Sequence, residues 1–324
     1  MSWKVRANDG IDPAGQALLE KAGCEVLTDH LSPEELMAEA HELDALLVRS
    51  ATKVREDLID NCPKLKVIGR GGVGLDNIDV KYAESKGVAV VNTPAASSAS
   101  VAELVFGHMF GMVRGLQKTN RIMPDRGDSE FKALKKACSK GTELSGKTLG
   151  IIGAGRIGRE TARLAVGCGM NVMFSDPFVD EVEVRLNFHP DVLVKPISLH
   201  FKTVSKEELL RNADFVSLHI PGGGEVVMGE AEFAIMKDGS GIVNCARGGV
   251  VSEKALLSAL NSGKIAYAGV DVFESEPPVD MSLLQHENVS LSPHIGAATR
   301  EAQERVGIEL AEKVIERLHS VSAQ

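Results

Sequence analysis

The sequence predicts an α/β protein made of two doubly wound parallel-sheet domains, one inserted into the other. Three observations carry this. Short apolar runs alternate with amphipathic stretches through the first ninety residues, a second series of the same kind opens at Thr148-Leu149-Gly150-Ile151-Ile152, and long one-faced helical patterns flank that second series. Strands alternating with helices at this spacing form βαβ units, which build parallel sheets.

In the first series, strands are expected near Val5 and at residues 25–27, 45–48, 67–69 and 88–91, with helices at about 13–22, 33–40, 56–61 and 77–85. Asn92-Thr93-Pro94 ends the series. From Ser100 to Lys118 the apolar residues Val101, Leu104, Val105, Met109, Met112, Val113 and Leu116 share one helical face, so a long helix is expected to leave the first unit there. The polar stretch 124–146 reads as a loop-rich connection or an oligomer arm. The second series continues through strands near 171–175, 215–218, 241–244 and 267–270. A last helix, at about 298–319, carries Ala302, Val306, Leu310, Val314, Ile315 and Leu318 on one stripe and is expected to return over the first domain. The predicted division is therefore residues 1–98, 99–295 and 296–324.

Composition narrows the class. The chain has 324 residues, 44% hydrophobic and 25% charged, which fits two globular domains and neither a disordered nor a membrane chain. No window approaches the roughly 18 consecutive apolar residues of a spanning helix. Met1-Ser2-Trp3-Lys4-Val5 lacks the apolar region of a signal peptide, so a cytoplasmic location is expected. A net charge of −9 disfavours nucleic acids and acidic membranes as partners, while a local arginine pocket for a small anion remains compatible with it. Cys24, Cys62, Cys138, Cys168 and Cys245 are scattered and odd in number, which excludes a complete disulfide framework; with no CxxC or HExxH pattern, no metal site is expected.

The segment Leu149-Gly150-Ile151-Ile152-Gly153-Ala154-Gly155-Arg156-Ile157-Gly158 runs from a buried strand into GxGxxG. Gly153 allows the tight turn, Gly155 lets a pyrophosphate approach the backbone, and Gly158 lets the next helix pack on the strand. The free N–H groups and positive dipole end of that helix suit phosphate. The following strand ends at Asp176, 18 residues beyond the third glycine. A carboxylate at about that offset binds the adenosine ribose and repels a 2′-phosphate, so the expected cofactor is NAD rather than NADP.

Three further motifs stand at strand ends of the same domain: Asn244-Cys245-Ala246-Arg247-Gly248-Gly249, Asp271-Val272-Phe273-Glu274-Ser275-Glu276-Pro277-Pro278, and Ser292-Pro293-His294-Ile295-Gly296-Ala297-Ala298-Thr299. Ligands of open α/β sheets bind beyond the carboxyl ends of the strands, so these motifs are expected to face one crevice. Taken singly, His294 reads as a satisfied loop histidine, Arg247 as a cap on its strand and Glu276 as a solvated residue before proline. Their order behind a dinucleotide motif favours a site. Oxidising an alcohol beside a carboxylate needs a hydride acceptor, a base and a cation. NAD supplies the first. The imidazole of His294 suits the second, because imidazole exchanges protons near neutrality. Glu276 can hold the other ring nitrogen, and the guanidinium fork of Arg247 suits the carboxylate.

With these motifs, GxGxxG, NxARGG, ExEPP and PHIGAAT in order, the chain resembles the D-2-hydroxyacid dehydrogenase family, and within it the D-3-phosphoglycerate dehydrogenases, from Arg49-Ser50 to Thr299. The resemblance implies a Rossmann NAD-binding domain inserted into a flavodoxin-like substrate domain, with Arg247, Glu276 and His294 catalytic. It implies cofactor contacts from Gly153, Gly155, Arg156, Ile157, Gly158 and Asp176, then from His219, Pro221, Cys245, Ala246, Asp271 and Gly296. It implies substrate contacts from Arg49 and Ser50, where Arg49 is placed to hold a phosphate, from the backbone of Val73 and Gly74, and from Arg247 and His294. Arg70 is a further candidate. The substrate is then a small anionic 2-hydroxy or 2-keto acid, and a homodimer is expected by analogy.

The sequence departs from the family in places. Ser97 stands where relatives often have asparagine, Gly222-Gly223-Gly224-Glu225 replaces Leu-Thr after His219-Ile220-Pro221, and Phe131–Lys136 replaces a usual tryptophan, with Lys135 or Lys136 open to a phosphate. The stretch 181–203 is longer than usual. No ACT domain precedes the end at Gln324, so serine feedback through one is not expected. The leading expectation is oxidation of D-3-phosphoglycerate; the alternatives are a glyoxylate or hydroxypyruvate reductase and an NAD(H)-sensing co-repressor-like binding protein.

Overall fold

The computed structural model describes residues 2–187 and 195–322. The chain divides into two compact units, one comprising residues up to Ser98 together with those from Ala297 on, the other Ala99–Gly296.

The first unit winds β1 (Trp3–Ala7), α1 (Pro13–Lys21), β2 (Cys24–Leu27), α2 (Pro33–Glu39), β3 (Ala45–Val48), α3 (Glu56–Asp60), β4 (Val67–Arg70), α4 (Val80–Ser85) and β5 (Ala89–Asn92). Its strands form one parallel sheet in the order β2-β1-β3-β4-β5, the flavodoxin-like order, which reverses between β1 and β3. Helix starts follow local chemistry: Asp12 caps α1 and Ser32 closes a capping box on Glu35, each with proline in the first turn. β3 is buried along its whole length, because helices cover both faces of a parallel sheet.

The second unit begins with α5 (Ser98–Arg114), which stops four residues short of the predicted end because Gly115 turns the chain at φ 62°. The chain then forms exposed helices α6 (Leu116–Arg126) and α7 (Phe131–Ala137); of the stretch 124–146, read as a loop-rich connection or an oligomer arm, residues 124–126 and 131–137 are helical and 139–146 are not. Then come β6 (Thr148–Ile152), α8 (Arg156–Gly167), β7 (Asn171–Ser175), β8 (Glu181–Leu186), β9 (Ile197–Lys202), α9 (Lys206–Asn212), β10 (Phe215–Leu218), α10 (Glu230–Ile235), β11 (Ser240–Asn244), α11 (Glu253–Asn261), β12 (Ile265–Val270), α12 (Met281–Gln285) and β13 (Val289–Leu291). Six strands form a parallel sheet, β13-β12-β11-β10-β6-β7, and its order reverses between β6 and β10. Beyond β7, β8 and β9 pair antiparallel, and a bridge from Phe174 to Thr203 ties them to the sheet edge; part of the stretch 181–203, expected to be longer than usual, lies outside the described residues. Val182 and Val184 of β8 are fully buried and join the apolar layer around Phe174.

The final helix α13 (Arg300–Ser322) belongs to the first unit, where Leu310, Ala311, Val314 and Leu318 close the core over Val5, Leu47 and Val67. Each fully buried leucine of this kind contributes about 1.5–3 kcal/mol. Among the described residues no helix is long and apolar enough to cross a membrane.

Candidate active site

Sequence forces the first half of the second unit's site. Gly153 sits at φ 102°, and a Cβ there would lie 2.4 Å from the carbonyl oxygen of His219. A Cβ at Gly158 would lie 2.2 Å from the carbonyl oxygen of Gly153, so α8 can start against β6 only because both are glycine. At Gly155, the residue before α8, a side chain would meet nothing within 4 Å. The space over the turn is therefore open, and the helix N-terminus faces it, which fits a dinucleotide pyrophosphate. Arg156 and Ile157 form the first turn of α8.

Asp176 follows β7 and grips the turn: its Oδ2 accepts from the Ala154 amide at 2.8 Å and its Oδ1 from the Phe178 amide at 2.9 Å. A carboxylate keeps further lone pairs on both oxygens, so it remains able to accept from ribose hydroxyls. His219 follows β10, on the far side of the order reversal. Its ring nitrogens lie inside: Nε2 meets Ser217 Oγ at 2.9 Å, and Nδ1 is buried with no partner among the described residues. Burial pushes its pKa down to about 3. Pro221 and the glycines that follow it are exposed.

The second half lies at the ends of β11, β12 and β13. The side chain of Asn244 clamps the loop after β11, accepting from the Ala246 amide at 3.1 Å and donating to the Arg247 carbonyl at 3.0 Å. Arg247 Nη1 donates to the Ala246 carbonyl at 2.7 Å, and a Cβ on Gly222 would lie 3.4 Å from the Arg247 Cγ. A Cβ on Gly248 would fall 1.7 Å from the Phe273 carbonyl oxygen, so glycine lets this loop touch the Glu276 loop. Cys245 and Ala246 are buried, and burial followed by the Asp271 charge pushes the Cys245 thiol well above its usual range.

Glu276 Oε2 accepts from His294 Nδ1 at 2.8 Å, and its Oε1 accepts from the Phe273 amide at 3.3 Å. His294 is the one non-glycine residue at positive φ, 54°, among the described residues. Such a conformation is uncommon outside glycine and persists where its surroundings impose it. Here the imposing group is Asp271. Its carbonyl accepts the His294 amide at 2.7 Å, and its carboxylate accepts Ser292 Oγ at 2.5 Å, the Ile295 amide at 2.9 Å and the Gly296 amide at 3.0 Å. The family resemblance implies cofactor contacts from Asp271 and Gly296; both are buried here, Asp271 with 0% exposure, and both also hold the His294 turn. The sequence left Asn244 unassigned, although its place before a small-residue loop was an available signal.

In the first unit, Asp9 pins the loop after β3, its carboxylate accepting from the Arg49 amide at 2.7 Å, the Thr52 amide at 3.0 Å and Thr52 Oγ1 at 2.6 Å. Arg49 lines a cavity of about 270 Å³ with Asp9, Asp12 and Gln303, and a broader recess of about 710 Å³ with Thr299 and Arg300. Ser50 is exposed at the same loop. Val73 is 37% exposed, and its carbonyl is held by Asn92 Nδ2 at 2.7 Å. Gly74 follows it, half-buried, and Arg70 lies over Gly72. Ser97 is buried, and Lys135 and Lys136 lie on exposed α7. Among the described residues no cluster of side chains is arranged to hold a metal ion.

The sequence pattern of the NAD binding domain of D-isomer specific 2-hydroxyacid dehydrogenases matches residues 106–296. The hydroxypyruvate reductase of Thermotoga maritima is 44% identical over 322 residues, 98% of each chain. The D-3-phosphoglycerate dehydrogenase of Methanocaldococcus jannaschii is 43% identical over 313 residues, 96% of this chain but 56% of that protein, so this chain spans little more than half of that relative. Among solved structures, NAD+-bound 3-phosphoglycerate dehydrogenase of Entamoeba histolytica superimposes with a TM-score of 0.76 at 26% identity, covering 98% of this chain and 96% of that one.

Proposed function

Since the chain belongs to the D-isomer specific 2-hydroxyacid dehydrogenases, NAD-dependent oxidoreductases, we propose that its reaction is the oxidation of D-3-phosphoglycerate to 3-phosphohydroxypyruvate, the first step of serine synthesis from that acid. The observation that carries the catalytic part is the His294–Glu276 contact of 2.8 Å at the strand ends beside the Arg247 loop. Bound NAD supplies the hydride acceptor.

The residues of the chain do the rest. With Nδ1 committed to Glu276, His294 uses Nε2 to take the hydroxyl proton during oxidation and to return it during reduction. Glu276 fixes that tautomer and offsets the charge that the imidazole gains. Arg247 binds the carboxylate and the reacting oxygen through its planar donors. Asp176 selects the ribose of NAD. The first unit is the substrate domain in this reading, with Arg49 binding the phosphate and Ser50 and the Val73–Gly74 backbone binding the remaining oxygens.

Phosphoglycerate is favoured by Arg49, which lines two cavities of that unit, and by the kinship with phosphoglycerate dehydrogenases. A second reading, reduction of hydroxypyruvate or glyoxylate, is favoured by the full-length match to a hydroxypyruvate reductase. Following NADH absorbance with D-3-phosphoglycerate, 3-phosphohydroxypyruvate, D-glycerate, hydroxypyruvate and glyoxylate separates them. The proposal expects kcat/KM to be highest for the phosphorylated pair; background rates with that pair and turnover of hydroxypyruvate establish the second reading instead.

A further inference from the structure

Helix α5 carries a histidine that the catalytic reading leaves unused. His108 is 4% exposed, with Nε2 2.9 Å from Ser292 Oγ and Nδ1 2.8 Å from Ser290 Oγ. The donors along this chain can be assigned. The Asp271 carboxylate only accepts, so Ser292 spends its proton on Asp271 Oδ1, 2.5 Å away, and must accept from His108. His108 therefore carries its proton on Nε2, and Nδ1 accepts from Ser290. Burial lowers its pKa, with the Asp271 charge opposing in part, which keeps the ring neutral and the bond directions fixed.

The chain ends on the catalytic turn. The Asp271 oxygen that accepts from Ser292 also accepts the Ile295 amide, its other oxygen accepts the Gly296 amide, and its carbonyl accepts the His294 amide. Ser100, two turns earlier on the same helix, donates to the Gly296 carbonyl at 2.7 Å. Gly269 of β12 lets α5 pack closely here: a Cβ on it would lie 2.8 Å from the His108 Cβ. A leucine on this face would fill the same core, but it would leave Ser292 and Asp271 free to reorient.

We propose that His108 is a positioning residue for His294, acting through Ser292 and Asp271 to hold the turn at the positive φ that aims the imidazole. This rests on His294 being the catalytic base. Positioning errors of this kind lower turnover while leaving ground-state binding nearly intact.

The test compares wild type, His108→Leu, His108→Gln, Ser292→Ala and His294→Asn, with NADH and the keto acid that the wild type reduces fastest. His108→Leu is expected to lower kcat by roughly 10- to 100-fold, with KM and the NADH dissociation constant changed less than about threefold. His108→Gln, which can donate to Ser292 and accept from Ser290, is expected to recover most of the loss. A folded His108→Leu with wild-type kcat overturns the proposal, as does an equal loss in Leu and Gln accompanied by weakened NADH binding, the mark of a merely structural residue. Should His108→Leu fail to fold, Ser292→Ala decides: unchanged kcat overturns the proposal. His294→Asn separates the two layers. If it is inactive while His108→Leu is normal, only the positioning role fails; if it turns over like wild type, the catalytic reading fails and takes this proposal with it.

Discussion

His294 Nδ1 and Glu276 Oε2 lie 2.8 Å apart, although 18 residues separate them and each side chain is less than half exposed. The contact leaves one ring nitrogen for chemistry and ties the loops that follow β12 and β13. Replacing Glu276 with glutamine keeps a hydrogen-bonding group but removes the negative charge that offsets an imidazolium. The expected result is a roughly 10- to 100-fold fall in kcat with KM little changed, measured by steady-state kinetics. An unchanged kcat places Glu276 outside the proton path.

Gly248 and Phe273 define a second close approach. A Cβ 1.7 Å from a carbonyl oxygen cannot be relieved by a rotamer change, so Gly248→Ala must part the Arg247 and Glu276 loops. The expected cost is about 1–3 kcal/mol of stability, together with a drop in kcat, both read from urea unfolding and turnover of the same sample. Wild-type stability and turnover would refute the loop-contact account.

Asp176 bears on cofactor choice. Both oxygens are anchored by backbone amides beside the GxGxxG turn, where the proposed function puts the ribose of NAD. Asp176→Ala removes that acceptor and the repulsion of a 2′-phosphate. KM for NAD is expected to rise about tenfold or more while discrimination against NADP falls; comparing kcat/KM for NAD and NADP in both proteins checks this.

His219 makes stability depend on pH. Its pKa falls to about 3 in the folded protein, against about 6.5 for an unperturbed histidine. Below pH 6.5 the unfolded chain takes up a proton that the folded chain resists, so this contribution is complete above pH 6.5 and is lost as pH falls toward 3. Thermal melts of the NAD-free protein between pH 7 and 4.5 are expected to fall more steeply for wild type than for His219→Asn. Parallel curves would mean that His219 does not drive the dependence.

The parts legible in the sequence are those where backbone chemistry restricts residue choice. The GxGxxG turn needs glycine at Gly153 and Gly158 for the clashes the structure displays, and Asp176 stands one strand later because the βαβ unit has a set length. The placement of Arg247, Glu276 and His294 beyond strand ends was readable because each follows an apolar strand. What escaped depends on partners distant in sequence. His108 lies on the helical face read as plain core, and its bonds to Ser290 and Ser292 span 182 and 184 residues. The work Asp271 does inside the protein escaped as well, because its carboxylate accepts from Ser292, Ile295 and Gly296, more than twenty residues away in sequence. The pair β8 and β9 did carry a period-two signal, Val182 and Val184 inward against Glu181, Glu183 and Arg185, in a stretch noted only for its length. Helices α6 and α7 escaped because they bury no residue.

The most direct measurement of the central claim is the kcat of His294→Asn beside its NADH dissociation constant. The account predicts a fall of roughly 10²- to 10⁴-fold in kcat, the range lost with a general acid–base, with NADH bound as tightly as by wild type. A variant that binds NADH normally and turns over at close to the wild-type rate would contradict it.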